Sequence, residues 1–217
     1  MYNDENHSFM VISSDSEKRP IHRHKGIYEK LLCESCERII GKYEDYSAKV
    51  LFDNKEKRVS IKKPFGFIFY DVDYTKFKLF QISLLWRASI SNRSEIGKIY
   101  LGPHSEKMRK MLLNMNPGEI HEYGCSMFFI PNYSKEMARF IYPPELIHLK
   151  IKGYTWYRAI FCGLVWNYIV SSHSNLWDKK NIFLSKEGEL PVINAGHKGM
   201  KFIQKLAFNL TNGRKLF

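Results

Sequence analysis

The chain has 217 residues, a length that suits one large domain or two small ones. Hydrophobic residues make up 44% and aromatic residues 15%, which predicts a packed core built on large rings. The longest apolar run, 159–170, contains Asn167 and is shorter than the ~20 residues of a membrane helix, so a membrane span is excluded. The first residues lack the pattern of a secretory signal, and we expect a soluble, cytoplasmic protein.

Positive charge is concentrated towards the carboxyl end of the chain. The net charge is +12, from 34 Lys and Arg against 22 Asp and Glu. Residues 151–217 alone hold 10 basic residues against 3 acidic ones. A basic face raises the local concentration of a polyanion, so nucleic acid or an acidic protein is the expected partner. A solubility function is the competing interpretation of the same charge.

The first half of the chain predicts a short strand, a helix and two further strands. A polar start contains the strand-like piece "SFMVISS". From Cys36 the apolar residues recur at three- and four-residue spacing, which predicts an amphipathic helix. These apolar residues are Ile39, Ile40, Tyr43, Tyr46 and Val50. "RVSIKK" and "FGFIFYDV" follow as strands, divided by Pro64 and Gly66.

Two helices are predicted in the middle of the chain. "DYTKFKLFQISLLWRASIS" is apolar on most sides, which indicates a buried, central helix capped by Asp73 or Thr75. Arg87 lies within it, and a buried guanidinium needs an acidic or phosphate partner. "GPHSEKMRKMLLNM" predicts the second helix, with Pro103 in its first turn.

The last part of the chain predicts mainly strands. "GCSMFFIP" is the first of them, and the region from Glu145 to Val170 predicts two more, the first alternating at Leu149 and Ile151. "GHKGMKFIQKLAFNL" predicts a closing basic amphipathic helix that docks on the core. Helices early and strands late predict an α+β fold with antiparallel strands. We expect an N-terminal CxxC and helix module over residues 1–63 and a larger α+β domain over residues 64–217.

Four residues near the start have the types and spacing of a zinc site. His22 and His24 are two apart, so on a strand both rings point the same way. Cys33 and Cys36 leave the two-residue gap that lets a turn aim both thiolates at one ion. Together they predict a closed, structural His2Cys2 zinc site. Two alternatives stay open: cysteines that begin a helix as small buried hydrophobes beside solvated histidines, and a redox CxxC.

Basic and aromatic residues interleave in the carboxyl-terminal third. Cations contact phosphates while rings stack on unpaired bases, so the pattern is typical of a surface for single-stranded or distorted nucleic acid. A sheet with its aromatics inward and its lysines outward would give the same sequence. The predicted nucleic-acid-binding residues are Arg87, Lys150, Lys152, Trp156, Arg158, Lys179, Lys180, Lys198 and Lys201.

Three segments carry a resemblance to known proteins: "GIYEKLLCESCERIIGKYEDYSAKVL", "FKLFQISLLWRASIS" and "LGPHSEKMRKML". With its LLCxxCE element, the chain resembles an uncharacterised group of bacterial proteins whose longer members are similar to HNH-type (His-Me finger) endonucleases. In that family an upstream histidine in a His-Ile-Ile-Pro type motif activates water, and a residue on the following helix holds a divalent ion.

The nuclease centre that this resemblance implies is incomplete in this chain. His7, His22 or His24 would have to replace the upstream histidine, and Glu37 stands where such nucleases place Asn or His. The resemblance therefore implies a non-catalytic or degenerate nuclease-like protein that binds nucleic acid or a nucleic-acid-acting partner, in phage or mobile-element conflict. The alternatives are a metal-dependent HNH-like nuclease active in a complex and a protein–protein module that uses a basic face.

Other candidate groups indicate structural functions. His104 follows Pro103 with Glu106 nearby, so acid–base catalysis competes with an exposed or capping histidine, which we favour. "SSHSNLW" contains Ser and His without a triad Asp. Cys125 and Cys162 lie in apolar runs and are expected to be buried, inert thiols. The sequence assigns no catalytic residue.

Overall fold

The computed structural model describes the chain in segments, with three α-helices, one π-helical turn and nine strands. The described residues are 9–11, 21–23, 29–53, 58–61, 66–93, 96, 98–130, 140–147, 154–173 and 181–196. The helices are α1 (Glu34–Ala48), which runs into the π turn Lys49–Asp53, α2 (Tyr74–Ile90) and α3 (Pro103–Leu113). The predicted α+β class is confirmed.

The strands form one mixed sheet in the order β2-β1-β6-β7-β8-β5-β9-β4-β3. Their bounds are β1 Phe9–Val11, β2 Ile21–Arg23, β3 Arg58–Ile61, β4 Gly66–Phe69, β5 Cys125–Phe129, β6 Phe140–Ile147, β7 Thr155–Phe161, β8 Leu164–Val170 and β9 Leu190–Asn194. The β1–β6 and β5–β9 pairs are parallel and the other pairs are antiparallel. The last strand, β9, therefore lies between two strands that come much earlier in the chain.

The β7–β8 hairpin turns on two residues. Cys162 and Gly163 have φ angles of 56° and 72°, and Phe161 pairs with Leu164 across the turn. Two positive φ angles in a two-residue loop are the requirement of a type I′ turn, whose twist matches that of the strands. This tight hairpin fixes which residues of β7 and β8 lie opposite each other, including Thr155 and Val170 at the open end.

Helix α2 is the buried central helix that the sequence predicts. Its N-cap is Asp73, whose carboxylate accepts a hydrogen bond of 2.9 Å from the backbone N–H of Lys76. Phe77 and Phe80 pack on the indole of Trp166 in β8, with ring centroids 6.4 and 6.2 Å away. Burying each such ring is worth about 1.5–3 kcal/mol, so this contact is a main attachment of the helices to the sheet.

Helix α1 packs on the other two helices. It begins at Glu34, two residues before the predicted start, because Cys33 is its N-cap. The Tyr43 hydroxyl donates a 3.0 Å hydrogen bond to the carbonyl of Leu112 in α3. Glu44 forms the ion pair with Arg87 of α2, which is the acidic partner that the sequence predicts for this arginine.

Residues on both sides of the proposed boundary at residue 63 contribute to one hydrophobic core. Ile40 and Tyr43 of α1 belong to the same cluster of buried side chains as Leu112, Met127 and Trp166. The first three strands also join the sheet through β6 and β4. The division into two units stays a prediction, but α1 packs against elements that lie beyond residue 63.

Two predicted elements fall on parts of the chain that the structure leaves undescribed. The alternating strand at Leu149 and Ile151 and most of the closing basic helix lie outside the described residues. Among the helices that are described, none has the length and apolarity to cross a membrane.

Replacing Tyr43 with Phe tests the contact between α1 and α3. The hydroxyl is removed from a side chain that is 4% exposed, and the carbonyl of Leu112 loses its donor. We expect the free energy of unfolding to fall by about 1–2 kcal/mol in urea titrations. Tyr100→Phe is the matched control, because its side chain is 75% exposed, and we expect a change below about 0.5 kcal/mol. Equal losses in both variants would contradict the packing of α1 on α3.

Candidate functional site

Two thiols lie together at the start of α1. Cys33 is the N-cap residue with extended backbone angles, and Cys36 follows in the first helical turn. Their Sγ atoms are 3.3 Å apart, and neither cysteine is in a disulfide. Cys33 is exposed to solvent, whereas Cys36 is partly buried. The sequence CxxC thus becomes a dithiol with one accessible sulfur and one sheltered sulfur.

The surroundings of the dithiol shift the pKa values of the two thiols in opposite directions. The pKa of Cys33 is lowered to about 7, first by the hydroxyl of Ser35 at 3.1 Å and then by the backbone N–H and thiol of Cys36. These groups donate hydrogen bonds to the thiolate and favour the charged form. The pKa of Cys36 is raised, chiefly because its proton is held by the hydrogen bond with Cys33. Cys33 is therefore the more easily ionised thiol of the pair.

A cleft of about 280 Å3 adjoins the dithiol between the three helices. Its walls are mainly apolar and include Leu31, Leu32, Trp86, Ile90 and Leu113. Arg109 also lines the cleft, and its guanidinium is held by two hydrogen bonds of 2.7 and 2.8 Å to Glu106. The positive charge of Arg109 acts on the thiol of Cys36 and favours its ionised form.

The predicted zinc site is described only in part. Cys33 and Cys36 could supply two thiolate ligands, but His24 lies outside the described residues. His22 is in β2, where its backbone pairs with Met10. The described portion of the chain contains no group of three or more His, Cys, Asp or Glu that could hold a metal ion. The His2Cys2 site stays a prediction.

A second polar group lies where α3 begins, close to the ends of β5 and β8. The Nδ1 atom of His104 is 3.1 Å from the Tyr123 hydroxyl, and the Lys107 ammonium donates a 2.9 Å hydrogen bond to Ser172. The pKa of His104 is lowered by burial and then by the charges of Lys107 and His173. We call His104, Lys107, Tyr123, Ser172 and His173 the His104 cluster.

The contacts of His104 differ from those considered in the sequence. The carboxylate of Glu106 binds Arg109, and the ring of His104 is paired with the Tyr123 hydroxyl. The N-cap of α3 is Gly102, and the His104 side chain is partly buried instead of exposed. Cys125 is buried, as predicted, and burial raises the pKa of its thiol. Cys162, which was also expected to be buried, is only partly buried, and burial raises the pKa of its thiol to about 11.

Three of the predicted nucleic-acid-binding residues are described. Arg87 is paired with Glu44. Arg158 of β7 donates a 2.7 Å hydrogen bond from its Nε atom to the side-chain oxygen of Asn167 in β8. Trp156 is 4% exposed, so a base could stack on its ring only if its neighbours moved. The other six lie outside the described residues: Lys150, Lys152, Lys179, Lys180, Lys198 and Lys201.

Trp156 instead belongs to a small cluster of buried side chains. It packs with Ile169 and Phe183, and the partly buried Ile120, Tyr154 and Ile182 close around them. We call these six residues the Trp156 cluster. The ring of Phe183 also packs against Gly124. The approach is so close that a Cβ atom at that position would lie 2.8 Å from the ring. The cluster therefore fixes where the chain enters β7 and where it returns before β9.

Comparison with family models, curated proteins and solved structures returns no match. The similarity to HNH-type endonucleases stays an expectation from the sequence.

Sequence reasoning missed most of the His104 cluster and the cleft. Lys107, Tyr123 and Ser172 come from three different elements, and no local spacing joins them. Arg109 lies at the cleft beside Cys36, and nothing in its sequence context indicates that position. A helix that begins with a CxxC pair was the one available signal for the dithiol, because cysteines at helix N-termini commonly have a lowered pKa.

Replacing Ser35 with Ala tests the cause of the Cys33 pKa. The variant loses the hydroxyl that contributes most to stabilising the thiolate, so we expect the pKa of Cys33 to rise above about 7. The measurement is the rate of iodoacetamide modification of Cys33 against pH, followed by peptide mass spectrometry on reduced, chelator-treated protein. Ser89→Ala is the control, since that hydroxyl bonds within α2. An unchanged midpoint in Ser35→Ala would show that the hydroxyl has no effect on the thiol.

Proposed function

We propose that this protein binds a polyanion, with nucleic acid as the chemical class, at the end of the sheet where β6 leads into β7 and β8 ends. The observation that carries the proposal is the pairing of Thr155 with Val170. It brings together the two strand ends that adjoin the segments bearing Lys150, Lys152, Lys179 and Lys180. Cations gathered at one place attract a phosphate backbone more strongly than the same cations scattered.

Two of these lysines are close in sequence to residues of the Trp156 cluster. Lys152 is two residues before Tyr154, and Lys180 is two residues before Ile182. Tyr154 and Ile182 both belong to the Trp156 cluster. The two lysine-bearing segments are therefore both followed in the chain by residues of one cluster.

Cations among the described residues lie near the same end of the sheet and support the proposal. The backbone N–H of Tyr123 donates a 2.8 Å hydrogen bond to the carbonyl of Ser171, the first residue after β8. Lys107 is bonded to Ser172, and His173 stands at the start of the segment that carries Lys179 and Lys180. The His104 cluster would add the charge of Lys107 to the proposed surface.

The distribution of charge is a further support. The described residues hold 16 Lys and Arg against 14 Asp and Glu, so most of the net charge of +12 belongs to the other segments. Residues 148–153 and 174–180 hold four lysines against the single acidic residue Asp178. Several described cations are also neutralised locally, including Lys76 by Asp73 and Lys186 by Glu119. Most of the surplus positive charge therefore belongs to segments outside the described residues.

The proposal is for binding without cleavage, in a cytoplasmic, nuclease-like protein of the degenerate kind. A metal-dependent nuclease active in a complex is the alternative, and it would depend on His22, His24 or Glu37. Divalent-ion-dependent cleavage that is lost on replacing these residues would favour that alternative.

Replacing both Lys179 and Lys180 with Ala tests the proposed surface. Each lost phosphate contact should weaken binding of a single-stranded oligonucleotide roughly five- to tenfold at 0.1 M salt and reduce the log–log salt slope by about 0.7. Fluorescence anisotropy across a salt series measures both quantities. Lys42→Ala with Lys49→Ala is the control of equal charge, because both side chains are exposed on or beside α1, and it should leave affinity and slope nearly unchanged.

Two results would overturn the proposal. One is binding that ignores salt; the other is an equal loss of affinity in both double variants. The basic-face alternative, in which the partner is an acidic protein, predicts that nucleic acid does not compete with that partner for the chain. Competition between the two would place them on one surface.

A further inference from the structure

We propose that Cys33 and Cys36 form a redox-active dithiol that closes reversibly to a disulfide by exchange with a low-molecular-weight disulfide. The 3.3 Å between the two Sγ atoms, the exposure of Cys33 and the adjoining cleft carry this inference. It does not rest on polyanion binding, because none of the residues that carry it is among those assigned to the proposed anion surface.

The backbone at the start of α1 permits the disulfide. Residues three apart in a helix have Cβ atoms about 5–6 Å apart, whereas a disulfide needs about 3.5–4.5 Å. Cys33 has φ −74° and ψ 162°, so it stands outside the helix and is not bound by helical geometry. The sulfurs must approach by about 1.2 Å to reach a bond length near 2.05 Å. No side-chain cap holds Cys33 away from Cys36.

Accessibility gives the two sulfurs separate functions. A disulfide reagent reaches the exposed Cys33 first, and the partly buried Cys36 then attacks from the side of the helix. Cys125 is buried in β5 and Cys162 lies in the β7–β8 turn, so neither is part of the pair whose sulfurs are 3.3 Å apart.

The chemical step is balanced with glutathione disulfide as the oxidant. The Cys33 thiolate attacks one sulfur of that disulfide, forming a mixed disulfide and releasing one glutathione thiolate. Cys36 then gives its proton to solvent and attacks the Cys33 sulfur, which breaks the mixed disulfide and releases the second thiolate. Two electrons pass from the protein to glutathione, and each released thiolate takes up a proton. Excess reduced glutathione reverses both steps.

The apolar cleft gives the second attack a sheltered setting. Trp86 and Ile90 of α2 and Leu113 of α3 lie on the same cleft as Cys36, while Arg109 supplies a positive charge near its sulfur.

The test follows thiol oxidation of the full chain in glutathione buffers of stepped redox ratio, after chelator treatment and dialysis. Alkylation and peptide mass spectrometry report each cysteine separately. We expect Cys33 and Cys36 to oxidise together, at one ratio and reversibly, while Cys125 and Cys162 stay reduced. In Cys36→Ser, a glutathione adduct should accumulate on Cys33, and in Cys33→Ser the intramolecular disulfide should be absent. Near-UV circular dichroism confirms that each variant is folded.

Cys162→Ser is the matched control, and oxidation of the pair should be unchanged in it. The inference is overturned if Cys33 and Cys36 stay reduced at every ratio, or if Cys36→Ser accumulates no more adduct than the wild type. Stoichiometric zinc that survives chelation and protects both thiols would also overturn it, because the pair would then be a structural metal site.

Discussion

The packing of α2 between the sheet and the other two helices is the contact on which the rest of the structure depends. Phe77 and Phe80 hold α2 to Trp166 of β8, and Arg87 on the same helix binds Glu44 of α1. With α2 fixed in this way, α1 and α3 lie beside it, with Tyr43 bonded to the carbonyl of Leu112. The cleft beside the dithiol exists because these three helices meet there.

The local parts of this arrangement could be predicted from the sequence. The apolar residues on most sides of α2, the capping carboxylate of Asp73 and Pro103 in the first turn of α3 are signals within one element. The need of Arg87 for an acidic partner was also predictable, because a guanidinium rarely lies near a core without one. The identity of that partner was not, since Glu44 is 43 residues away in sequence and on another helix.

The long-range arrangement left no such signal. Nothing in the sequence of β9 indicates that it lies between β5 and β4, because strand order is set by packing between distant segments. Whether Trp156 is exposed or buried could not be predicted from the sequence either. Alternation along β7 fits either an exposed aromatic that stacks on bases or a buried one, and only the packing against Ile169 and Phe183 distinguishes them. Buried in this way, Trp156 positions the neighbouring chain instead of presenting its own ring.

Nucleic acid is proposed to contact the lysines carried between β6 and β7 and after β8. Acylation of the full chain with a lysine-directed ester, with and without a single-stranded oligonucleotide, tests this contact directly by peptide mass spectrometry. We expect protection of Lys150, Lys152, Lys179 and Lys180, with unchanged acylation at the exposed Lys42 and Lys49 on the helical side. Equal protection along the whole chain, or protection confined to the helical lysines, would contradict it.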